Sequence, residues 1–153
     1  MMRTLLCLAV VLGLVFGLAA GPVVAGNSPA DAEAMVKKAL DFFKANGMEK
    51  TVAAMNDPNG EFKQGELYAF MFDFDINCVA HPANPKLVGK NLADLKDAEG
   101  KAFMKEMAEK AKAGGGWTDY KWSNPETKKL QDKSSYALPV PGENLFIGCG
   151  IYK

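Results

Sequence analysis

LYAFMFDF, residues 67–74, is apolar at nearly every position. A strand with one face in water alternates apolar and polar residues, whereas here Tyr68, Phe70 and Phe72 fill one alternate set and Leu67, Ala69 and Met71 the other. The run is aromatic-rich and too short for a typical helix, so it predicts a central strand covered on both sides. Such a strand needs partners on its edges and a layer over each face.

Upstream lies a candidate layer. Ser28, Pro29 and Asp31 read as an N-cap, a proline at the first helical position and an acid facing the helix dipole. Ala32, Met35, Val36, Ala39, Leu40 and Phe43 then follow helical spacing along one stripe, with Lys37, Lys38, Asp41 and Lys44 on the other side. Asn46-Gly47 predicts the end of this helix, and a second short helix is expected from Met48 to Met55, stopped by Asp57-Pro58.

Downstream, the short polar side chains of 73–77 predict a tight turn into a second strand, Cys78 to His81. The prolines of His81-Pro82-Ala83-Asn84-Pro85 break regular structure, and 87–95 reads as an ordered loop with a short helical turn, of the kind that walls a site. A helix from about Glu99 to Ala113 is expected to bury Phe103, Met104, Met107 and Ala111 before Gly114-Gly115-Gly116 ends it. Three strands should follow as an antiparallel meander, Trp117 to Trp122, Asp132 to Val140 and Asn144 to Tyr152. In the last, Phe146, Gly148, Gly150 and Tyr152 share a face, and the two glycines invite close approach of another element. Helices, two strands, a helix and three strands make an α+β arrangement: an antiparallel sheet with a long helix packed on one face.

Residues 1–25 read as a signal peptide, because Arg3 precedes an apolar run from Leu5 to Ala20 and the small-residue site Val23-Val24-Ala25. Cys7 precedes the apolar run, which is the wrong place for a lipidated cysteine. Cleavage after Ala25 leaves residues 26–153 as one domain, expected in the periplasm or secreted. Arg3 is the only arginine, so the mature domain carries 17 lysines against 18 acidic residues. That balance offers no basic stripe for nucleic acid. It also excludes bidentate guanidinium clamps, so an anionic ligand has to be held by lysine, backbone N–H, tyrosine or histidine. Cys78 and Cys149 either form a disulfide or act as two small buried apolar side chains, and the spacing leaves both open.

Four segments carry a resemblance: GELYAFMFDFD at 65–75, VAHPANPKLVGKNLADLKDAEGK at 79–101, AKAGGGWTDYKWSNPETKK at 111–129 and SYALPVPGENLFIGCGIYK at 135–153. With the helix pair FFKANGMEKTVAAMNDPNGEF at 42–62, this chain resembles the single Cache domain family of extracytoplasmic bacterial sensors across nearly all of the mature chain. The resemblance implies a PAS-like, five-stranded antiparallel sheet flanked by the N-terminal helix. It also implies the binding of a small molecule, often a short organic acid, on behalf of a membrane-bound signalling partner. Family receptors continue beyond the last strand into a membrane helix and a signalling domain. The sequence here stops at Lys153, which reads as a free-standing member without its own output.

Five residues are candidates for ligand contact. His81, the only histidine, falls in the HP motif that the resemblance puts at the pocket edge, and imidazole suits hydrogen bonding to a carboxylate. Lys133 is the cation chosen to meet an anion, because the family resembles this chain in having a basic residue and an aromatic near that strand. Tyr120, Trp122 and Tyr136 would form an apolar cage with polar tips. Tyr120 and Trp122 share a strand face, but Lys133 and Tyr136 differ by an odd number of positions and point oppositely unless a bulge intervenes.

No cofactor and no metal are expected. Asp73, Asp75 and Asn77 open like a calcium loop, but the glycine and the distal acid are missing, so a hairpin turn is the better reading. No C-x-x-C-H haem motif occurs, and no nucleophile motif accompanies His81, so an enzyme is not expected. The leading reading is a small-molecule-binding sensor domain. A structural module that scaffolds a partner or a homodimer, with no small ligand, stands beside it.

Overall fold

The computed structural model describes residues 27–153. The signal-peptide expectation therefore lies outside the described residues.

Helix α1 spans Pro29–Asn56. Ser28 caps it as the sequence predicts: its side chain accepts from the Asp31 N–H, and the Asp31 carboxylate accepts the Ser28 N–H at 2.8 Å. Gly47, with φ of 77°, breaks the helical path, so α1 is two arms meeting at the expected glycine. The Thr51 hydroxyl donates to the Gly47 carbonyl at 2.7 Å and closes the joint.

The strands are β1 (Lys63–Gln64), β2 (Leu67–Asp73), β3 (Cys78–Ala80), β4 (Gly116–Ser123), β5 (Leu130–Pro139) and β6 (Leu145–Tyr152). All pairings are antiparallel and run β1-β2-β6-β5-β4, with β3 also on β2. Five of these are the strands expected, β3 being only three residues long, and the two-residue β1 is an addition. β2 is central: β6 lies along one edge, while β1 and β3 share the other.

Both faces of β2 are covered, which is why the 67–74 run is apolar throughout. Leu67, Ala69 and Met71 pack in one core with Val36, Ala39 and Met55 of α1. Tyr68, Phe70 and Phe72 pack in a second core with Phe103, Met104 and Met107 of helix α2 (Phe103–Lys112). α2 starts about four residues later than its sequence suggests. Asp97 captures the Glu99 and Lys101 N–H groups at 2.9 Å each, and Gly100, with φ of 82°, turns the chain before the helix begins. The same carboxylate accepts the Lys121 N–H at 3.1 Å, tying this turn to β4.

The 73–77 segment is a hairpin turn, as expected, with the Asp73 carboxylate taking the Asn77 N–H at 2.8 Å and its side-chain amide at 2.7 Å. Cys78 and Cys149 are free and buried. They flank β2 on different sides, Cys78 pairing with Phe72 and Cys149 with Ala69, so of the two readings the structure holds the apolar one.

Candidate functional site

The β6 glycines shape the second core. A side chain at Gly148 would collide with the Phe70 ring, and one at Gly150 would collide with Lys133 and Ser135. The missing Cβ atoms thus let β2 and β5 side chains lie over the sheet, as the sequence suggests.

Lys133 uses that space. It is 1 % exposed, and its Nζ donates to the Tyr68 hydroxyl at 2.8 Å and lies 3.4 Å from the Tyr152 hydroxyl. The ammonium sits 3.9 Å from the Tyr68 ring centroid and 4.6 Å from that of Tyr152, so aromatic faces replace much of its hydration. No carboxylate among the described residues forms an ion pair with it. Burial pulls its pKa down to about 7, while the charge of Glu66 pushes the other way. Burying an ammonium without a counter-charge costs several kcal/mol.

On the far side of Tyr68 from this lysine's Nζ contact lies a small hollow of about 20 Å³, measured as room for the centre of a water molecule, so that as it stands it admits a group of about water size. β2 supplies Tyr68, Phe70 and Phe72 to its wall, and β4 supplies Tyr120 and Trp122. His81, Leu87 and Leu92 close it from the loop, with Phe103 and Met104 from α2. A second hollow of about 150 Å³ shares Tyr68, His81 and Trp122 and is also lined by Asn84 and Lys128.

His81 is 4 % exposed and held from two directions. Its backbone N–H donates to the Asn56 side chain at 3.0 Å, and its Nδ1 accepts the Asn84 N–H at 3.0 Å. An accepting Nδ1 puts the proton of the neutral ring on Nε2, which is thereby left as a donor. Burial, and then the charge of Lys133, push its pKa down to about 3, so the ring is neutral at physiological pH.

Tyr120 stacks on Phe103 with ring centroids 4.3 Å apart, and its hydroxyl is 2.9 Å from that of Ser135. Trp122 meets Phe103 edge-on at 5.5 Å. Burial raises the pKa of both Tyr68 and Tyr120, which keeps their hydroxyls protonated as hydrogen-bond donors. The site therefore offers neutral O–H and N–H donors and one ammonium behind an apolar lining. Among the described residues no cluster of His, Cys, Asp or Glu could hold a metal ion.

Four of the five sequence candidates converge here: His81, Tyr120, Trp122 and Lys133. Tyr136 does not. β5 pairs with β6 in continuous register from Lys133 to Pro139, so no bulge reverses the parity. Tyr136 lies on the α1 face against Trp117, with centroids 5.4 Å apart. The residue that sequence reasoning missed is Tyr68. The signal was present: a tyrosine alternating with Phe70 and Phe72 brings a hydroxyl into an apolar face, where it needs a partner.

Residues 31–153 match the family model described as single Cache domain 2. The sensor histidine kinase MctS of Rhizobium johnstonii is 36% identical over 85 residues, 56% of this chain and 18% of that protein. The methyl-accepting chemotaxis protein McpP of Pseudomonas putida is 31% identical over 86 residues, 56% of this chain and 16% of that protein. The alignments thus span less than a fifth of either relative. Among solved structures, a methyl-accepting chemotaxis protein from Vibrio parahaemolyticus superposes with a TM-score of 0.69 at 26% identity, covering 80% of this chain and 86% of that one. A Cache chemosensory domain solved for its recognition of carboxylic acids superposes at 0.63, with 24% identity over 80% of this chain and 86% of that one, a likeness of fold.

Proposed function

The chain belongs to the single Cache domain family, and from that premise we propose that it is an extracytoplasmic sensor-type domain holding one small monocarboxylate between Tyr68 and His81. The observation that carries this reading is the buried, unpaired Lys133 behind the Tyr68 hydroxyl at the wall of a small hollow. A phenol that accepts from an ammonium becomes a stronger donor through its own proton. A carboxylate beside it would meet that O–H and the His81 Nε2–H and would neutralise Lys133 electrostatically. Phe70, Phe72, Leu92 and Met104 leave an apolar remainder suited to a short alkyl tail.

A single cation matches a single carboxylate. The small volume disfavours a large ligand, and the absence of acidic residues from the lining disfavours the ammonium of an amino acid. Nothing in the site offers a nucleophile poised on a base, so binding rather than catalysis is the reading. The solved domain that recognises carboxylic acids supports the ligand class by fold alone. The apolar run from Leu5 to Ala20 supports export with cleavage after Ala25, and the kinase and chemotaxis relatives support coupling to a membrane-bound signalling partner.

A thermal-shift panel of acetate, propionate, lactate, pyruvate and amino acids tests the reading. Saturation a hundredfold above Kd adds about 2.7 kcal/mol, or roughly 8 °C, for at least one monocarboxylate. Tyr68→Phe weakens the shift, and no response to any of these compounds refutes the proposal.

A further inference from the structure

At the polar end of the hollow, charge is out of balance before any ligand arrives. Lys133 projects from β5; Asp119 and Asp132, which border the same surface hollow, pair with Lys153 and Lys121, and the other groups around it are neutral or otherwise engaged. β2 presents the Tyr68 phenol, β4 the Tyr120 phenol and β6 the Tyr152 phenol and the Cys149 thiol, all held protonated by burial. The loop presents His81, neutral at physiological pH. Glu66, just before β2, is the carboxylate that acts on Lys133 from a distance, but its oxygens are occupied by the side-chain amides of Asn27 at 3.3 Å and Asn124 at 2.8 Å.

An ammonium in that setting is penalised by lost hydration and offset only by hydroxyls and ring faces. Resting on the small-carboxylate reading above, we propose that the anion and one proton enter the site together, the proton being held by Lys133, so that the domain responds to pH as well as to ligand. The balance is simple: the neutral amine, a proton from solvent and the carboxylate become an ammonium facing a carboxylate, with no covalent bond made. The unloaded lysine releases its proton near neutrality, and a carboxylate in the same low-dielectric region raises its affinity for that proton. Below pH 6 the lysine is already charged and affinity is flat. Above neutrality affinity falls about tenfold per pH unit, as linkage of one proton requires.

Calorimetric titration of propionate and acetate into the leader-cleaved protein, in two buffers of different ionisation enthalpy, reads this directly. At pH 8 the dependence of heat on buffer corresponds to uptake of close to one proton per ligand, and at pH 5.8 to nearly none. Carbon-13 NMR of lysine-labelled, ligand-free protein gives an independent reading, with the Lys133 Cε resonance titrating near neutrality. Binding with no proton uptake at pH 8, or a Lys133 resonance that titrates only above pH 10, overturns the linkage while the ligand reading stands. No binding of either acid at pH 5.8 overturns both.

Discussion

Lys133 on β5 reaches over Gly150 of β6 to give Tyr68 on β2 a hydrogen bond of 2.8 Å. Three strands thus meet in one polar contact, and it exists because position 150 has no side chain. Gly150→Ala displaces Lys133 and Ser135, costing about 1–3 kcal/mol by overpacking. Urea denaturation measures the loss, and a propionate titration shows weakened binding in the same variant.

Lys133→Met exchanges the unpaired ammonium for an apolar chain of similar length. At pH 6 the ligand-free variant is more stable than wild type by about 1–4 kcal/mol, as when buried charges give way to packed hydrophobes, and its propionate response is lost. The sign of the pH dependence follows from the depressed pKa of about 7. Between that value and the unfolded lysine value of about 10.4 the unfolded chain binds more protons, so wild-type stability rises with pH. The advantage of the variant accordingly shrinks by about 1.4 kcal/mol per unit between pH 7 and 8.5. Urea midpoints across that range check it.

His81 gives a second pH signature on the acidic side. Its folded pKa of about 3 lies below the unfolded value near 6.5. Between them the unfolded chain binds the extra proton, so stability falls as pH drops from 6.5, by about 1.4 kcal/mol per unit. His81→Gln flattens that slope between pH 6.5 and 5, before the carboxylates titrate, and denaturation midpoints in that window report it.

Much of this architecture was legible in the sequence because single residues settle local questions. The two-sided apolarity of 67–74 marks a covered central strand, Gly47 marks the break in α1, and the glycines of β6 mark close approach. α2 starts later than helix periodicity suggests because side-chain capture by Asp97 competes with it and leaves no periodic trace. The site was legible in part. Parity separates Lys133 from Tyr136, and the continuous β5 register confirms the separation. The partnership of Lys133 with Tyr68 joins residues 65 positions apart, which no local pattern encodes.

The cysteines give a plain negative. Cys78 and Cys149 lie on different sides of β2, and burial pushes both thiols up to about 12. Reductant leaves the melting temperature unchanged, native-state alkylation is slow, and both thiols label fully once the protein is denatured without reductant.

A crystal structure of the protein grown with propionate reads the position of the ligand itself. Carboxylate density is expected within hydrogen-bond reach of Tyr68 Oη and His81 Nε2, with the ethyl tail against Phe72 and Leu92. A hollow filled only by water, or propionate bound elsewhere on the surface, contradicts that placement.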